Sequence, residues 1–111
     1  MSKFASLAAL LLLVACGGPP KPTIPSLNPE QANSLLHYNN KAENWMTYVK
    51  KNNPSCQYIL VLPDQSSHPA EIDLDHIVNC GGRPSPREFD ASVSFGYDAT
   101  QQKWVITRFS S

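Results

Sequence analysis

The side chains best suited to chemistry are few, and most lie between residues 66 and 76. Asp73 and Asp75 flank Leu74 in the run Asp-Leu-Asp-His. On an extended strand, residues two apart share a face at about 7 Å, so these carboxylates would point the same way. Oxygen donors at that spacing suit a hard divalent cation. His68, in the loop before them, is the nitrogen donor able to join. The candidate metal set is therefore His68, Asp73 and Asp75, set against the plainer reading of a solvated acidic face. The same alternation turns His76 to the opposite side, where it reads as a core or rim histidine held by a backbone group. Ser66, Ser67 and His68 are adjacent in sequence, but a nucleophile and its base are defined by geometry and not by adjacency. There is no Gly-x-Ser-x-Gly elbow and no Cys-x-x-Cys pair. Gly81-Gly82 reads as a turn and not as a phosphate cradle. No pattern calls for a cofactor, and catalysis is not the expected role.

The strongest pattern lies at the N-terminus. Lys3 precedes Phe4 and an apolar run over residues 7–14, with small residues at Ala8, Ala9 and Ala15. This is the charged, apolar and small-residue order of an export signal. The run is too short to cross the roughly 30 Å hydrocarbon core as a helix. Its last four residues, Leu13-Val14-Ala15-Cys16, resemble the lipobox of bacterial lipoproteins. That resemblance covers residues 1–16 alone. It implies removal of residues 1–15 and acylation of Cys16 through a diacylglyceryl thioether, usually with an N-acyl chain. Several acyl chains anchor stably where a single chain holds only reversibly. Gly17, and not aspartate, follows the cysteine, which is similar to outer-membrane sorting in Gram-negative lipoproteins. The expected location is the bacterial cell envelope, lipid-anchored to a membrane, on the periplasmic side of the outer membrane in a Gram-negative cell.

With Cys16 acylated, Cys56 and Cys80 remain as an even pair in an oxidising compartment, where a structural disulfide is expected. A domain this small often needs such a staple. Without residues 1–15, the 111-residue chain is 96 residues long, and Lys3 is the single charge lost, leaving eight basic against nine acidic residues. That balance argues against nucleic acid or a charged membrane surface as partner. The expected partners are the membrane, through the anchor, and an envelope protein.

These residues must be positioned by the elements that follow. Residues 16–27 form the lipidated cysteine and a proline-rich tether, with Pro19, Pro20, Pro22 and Pro25 favouring extended geometry at about 3.1 Å per residue. Residues 28–111 form one small α+β domain. Asn28 is the expected N-cap, Pro29 the first helical residue, and Leu27 with Ala32 a hydrophobic staple. Apolar residues from Ala32 to Val49 recur with helical period, predicting one amphipathic helix ended by Asn52, Asn53 and Pro54. Its polar face is rich in asparagine, so packing on a sheet is favoured over lying on a membrane. Four strands are expected, over residues 56–62, 71–80, 89–97 and 104–109, as an antiparallel meander. The Cys56–Cys80 pairing would place Tyr58 opposite Val78, Leu60 opposite His76 and Leu62 opposite Leu74. In element order alone this looks like the helix-on-sheet layout of cystatin-like folds.

An apolar outer sheet face favours recognition over catalysis. Ile59, Val61 and Ile77 are expected on that face, and the last strand carries large apolar groups on both sides. Such a patch suits a protein partner. Arg83 and Arg87, in Arg-Pro-Ser-Pro-Arg, stand as further contact residues. The expected function is thus a lipid-anchored binding or scaffolding module of the envelope. The alternative is a small envelope enzyme or metal-handling protein using His68, Asp73 and Asp75.

Overall fold

The computed structural model describes residues 23–111. The lipobox-like run and Cys16 lie outside the described residues. The architecture is α+β, built from two helices, two three-stranded antiparallel sheets and one disulfide.

The single helix expected after residue 28 is two. Helix α1 spans Pro29–His37 and α2 spans Asn40–Asn52. The first cap is as expected: Asn28 Oδ1 accepts from the Gln31 N–H at 2.7 Å, with Pro29 in the first turn. The break at Tyr38 and Asn39 comes from a second asparagine. Asn39 is extended, and its Oδ1 accepts from the Ala42 N–H at 3.0 Å. A short amide side chain of this kind competes with helix propagation by capping a new helix instead. The two helices bury Ala32, Leu36, Ala42, Met46 and Val49 against the sheets. Lys41 Nζ ties the start of α2 to the far strand by donating to the Phe109 carbonyl at 3.0 Å.

The strands are β1 Cys56–Tyr58, β2 Glu71–Leu74, β3 Val78–Cys80, β4 Arg83–Pro84, β5 Ser92–Asp98 and β6 Lys103–Ser110. They do not form one four-stranded meander. One sheet has the order β1-β3-β4 and the other β2-β5-β6. The cause is a break within residues 71–80, where His76 adopts a positive φ of 55°. A left-handed residue cannot continue a flat strand. The chain therefore leaves one sheet after Leu74 and enters the other at Val78. The expected register holds where the disulfide sets it: Cys56 faces Cys80 and Tyr58 faces Val78. Beyond that, Leu74 pairs with Val93 instead of Leu62, and Ile72 pairs with Phe95. The chain after Phe89 also differs, because residues Arg87–Phe89 form a 3-10 turn before β5 begins at Ser92.

A bulge sets the phase of the last hairpin. Ser94 pairs with Arg108 and Phe95 with Ile106, so Thr107 is an extra residue. That insertion puts Trp104 and Phe109, an odd number of steps apart, on the same buried side. Gly96 opposite has no room for a side chain, since a Cβ there would sit 2.9 Å from Thr107 Cγ2. Trp104, Phe109, Phe95, Val93, Leu36 and Val49 form the centre of one continuous core.

The domain starts earlier than residue 28. Ile24 packs on the core, and Leu27 is buried within it. Gln65 clasps Leu27 twice, accepting from its N–H and donating to its carbonyl, both at 2.8 Å. Trp104 Nε1 donates to the Pro25 carbonyl at 2.9 Å. The prolines that suggest a spacer therefore give way, from Ile24 on, to chain held by the globule.

The Cys56–Cys80 bond closes a segment with a sequence separation of 24. Loop entropy assigns such a cross-link about 3 kcal/mol. Reduction with dithiothreitol should lower the urea unfolding free energy by about that amount. An unchanged midpoint would show that the staple contributes nothing.

Candidate functional site

The strained residue that separates the sheets also carries the most distinctive polar contact. His76 projects into solvent, with its side chain 84% exposed, and its Nδ1 hydrogen-bonds the Asp90 carboxylate through Oδ2. The other oxygen of Asp90 accepts from the Ala91 N–H at 2.8 Å. The next residue, Ile77, donates its N–H to the Ala91 carbonyl at 3.0 Å. Two adjacent residues of the sheet switch are thus bound to two adjacent residues at the entry to β5. Asp75, His76, Arg87, Asp90, Ser92 and Ser110 line an open concavity of about 320 Å³ there.

Sequence reasoning missed this pair. Strict alternation through residues 71–80 put His76 against a backbone group, whereas its partner is a carboxylate 14 residues on. The one legible signal was the residue type, since histidine enters the left-handed region more readily than β-branched neighbours such as Ile77. The hydrogen bond to Asp90, and then the charge of that carboxylate, raise the His76 pKa above its ordinary 6.5; desolvation opposes them, and Asp75 adds a lesser upward push. The arrangement is an imidazole oriented by a carboxylate, which is the base half of a nucleophilic triad. No nucleophile hydrogen-bonds to His76 among the described residues.

The proposed metal set is dispersed. His68 and Asp73 line one depression with Glu71, while Asp75 turns away into the His76 concavity. The Asp73 carboxylate is already engaged, accepting from Ser94 Oγ at 2.5 Å, and that hydroxyl accepts from Arg108 Nη2 at 3.0 Å. Among the described residues, no group of three or more His, Cys, Asp or Glu could hold a metal ion. Of the two arginines, Arg87 joins the His76 concavity, while Arg83 lies exposed on β4.

The apolar contact set divides in the same way. Ile77 is 2% exposed and belongs to the core, so it does not join an outer patch. The backbone turn at His76 shifts its phase and drives it inward. Ile59 and Val61 remain outside, 43% and 79% exposed. Between and after them, Leu60 and Leu62 face the core. In an antiparallel pair, alternate residues aim their N–H and C=O at the partner strand. Ile59 does so, donating to the Ile77 carbonyl at 2.7 Å. The polar backbone of Leu60 consequently turns to the other side, where β1 is the edge of its sheet. Residues 60–62 make no backbone hydrogen bond to any described residue. The segment is held in place from below by Tyr58. Its hydroxyl donates to the Ala42 carbonyl at 2.6 Å, and its ring meets Phe109 edge-on. Burial, and secondarily the charge of Glu43, push the Tyr58 phenol far up, so it stays a neutral donor.

Compared with known proteins, the chain matches no family model, no curated protein and no solved structure. Among the described residues, no helix is long and apolar enough to cross a membrane.

The His76–Asp90 contact makes stability depend on pH with a definite sign. A histidine whose folded pKa is raised stabilises fully below its unfolded value, and the effect is lost as pH rises through the folded value. The variant His76→Asn tolerates the left-handed backbone but cannot titrate. Wild type should be the more stable at pH about 5.5, and the gap in urea midpoints should narrow by pH about 8. A gap that widens with pH would contradict the pairing.

Proposed function

We propose that this chain is a lipid-anchored module of the bacterial cell envelope that works by binding a protein partner along residues 59–62. One observation carries the binding half of this reading. Exposure alternates along the segment as on a strand, its backbone at 60–62 has no partner among the described residues, and Ile59 and Val61 stand outward beside it. An extended peptide laid along such an edge gains main-chain hydrogen bonds, while exposed side chains on alternate residues supply specificity. A soluble protein protects a flat apolar edge unless it has a use for it. The segment has no charge or glycine within it, and Pro63 marks its end.

The anchoring half rests on the lipobox-like Leu13-Val14-Ala15-Cys16 and on the disulfide, which suits an oxidising compartment outside the cytoplasm. A second reading, a small envelope enzyme, draws on the Asp90-oriented imidazole of His76. It lacks a nucleophile in hydrogen-bond contact among the described residues, so binding is the better supported role.

Two experiments separate these elements. Cys16→Ser should release the protein from washed membranes or stall its processing, as read by fractionation and intact mass. Retention and processing identical to wild type would remove the anchor. A photo-crosslinking residue at Val61 in intact cells should yield a discrete protein adduct that Ile59→Asp abolishes, with the disulfide and circular dichroism unchanged. An adduct pattern indifferent to Ile59→Asp would remove the binding edge.

A further inference from the structure

We infer that the groove between α1 and β6 is the face this protein turns toward the bilayer that holds its own anchor. The inference rests on the lipoprotein reading of Cys16. The groove is lined by Leu35, Tyr38 and Asn39 on the helical side and by Lys103, Trp104, Val105 and Ile106 of β6. Tyr38 is 81% exposed, the most exposed of the large apolar side chains described. Leu35, Val105 and Ile106 are half-buried. The concavity is shallow, about 220 Å³, and open to solvent.

The path of the chain from the anchor selects the occupant. Trp104, which lines the groove and is itself buried, fastens the Pro25 carbonyl through its indole N–H, and Ile24 packs on the core just before it. The anchored chain therefore enters the globule beside this groove. Eight residues lie between Cys16 and Ile24, counting Ile24. Fully stretched, they reach at most about 28 Å. A domain of this size has a radius of gyration of about 12 Å, so the leash is no longer than the globule is wide. The surface next to Pro25 is thus kept within reach of the headgroups.

The chemistry of the groove suits that position. Tyrosine pairs an apolar ring with a polar tip and is enriched at membrane interfaces. A lysine at the rim can extend its ammonium to lipid phosphate while its stem stays on apolar surface. One lysine and four apolar side chains make a weak contact on their own. The anchor removes the need for strength, because a short tether holds the groove at millimolar effective concentration over the bilayer. The groove orients a protein that is already attached, and so fixes which surfaces point away.

The test uses the native lipidated chain in phosphatidylcholine and phosphatidylglycerol vesicles that carry a diazirine phospholipid, with labelled peptides mapped by mass spectrometry. Peptides holding Tyr38 and residues 103–106 should take label several-fold above the rest of the described chain. Tyr38→Asp, at an exposed position, should bring that labelling down to the level of the rest. Even labelling, or none, on protein whose Cys16 carries its acyl mass overturns the groove inference alone. A mature chain without acyl mass at Cys16 overturns the lipoprotein reading and this inference together.

Discussion

A single left-handed backbone turn at His76 governs the arrangement of both sheets. Before it, Ile72 and Leu74 lie against Phe95 and Val93; after it, Val78 and Cys80 lie against Tyr58 and Cys56. The turn is held by its neighbours on both sides: His76 binds Asp90, Ile77 donates to Ala91, and the Ile77 side chain is driven into the core. A non-glycine residue at positive φ persists only where surrounding contacts over-determine it. Those contacts are present here, and they also place a carboxylate-oriented imidazole at the junction of the two sheets.

The second constraint is size. Neither sheet exceeds three strands, the smallest number that gives a sheet independent stability. Covalent and polar clasps join the pieces. The disulfide fixes β1 on β3, Lys41 ties α2 to the end of β6, and the Leu27–Gln65 and Trp104–Pro25 hydrogen bonds draw the entering chain onto the globule. Each clasp links segments far apart in sequence, where loop closure is most costly to the folded state. The last two hold residues 25–27 against Gln65 and β6. The clasps on β1, by contrast, stop at Tyr58 and Ile59. Residues 60–62 follow with their side chains placed and their backbone unpaired among the described residues.

The division of roles follows from these constraints. The polar concavity at His76 is a structural junction with a titratable lock. The stretch at 59–62 carries exposed Ile59 and Val61 beside backbone that is unpaired among the described residues. The groove at Tyr38 and Val105 lies beside Trp104, which holds the Pro25 carbonyl.

Periodicity and capping chemistry determined that helical sequence would start at Asn28 and Pro29 and that extended segments would follow, while the cysteine count, with Cys16 set aside, determined that Cys56 and Cys80 would meet with Tyr58 opposite Val78. Those features are local or covalent, so neighbouring residue types suffice to specify them. The second helix cap at Asn39 was also local, but it lay hidden within an apolar pattern that runs through both helices. The division into two sheets, the burial of Ile77, the His76–Asp90 contact, the dispersal of His68, Asp73 and Asp75, and the bulge at Thr107 were decided only by tertiary structure. Each depends on a change of phase in the backbone. A strand pattern of period two carries no mark of where its alternation will be broken, because the break is stabilised by partners far along the chain.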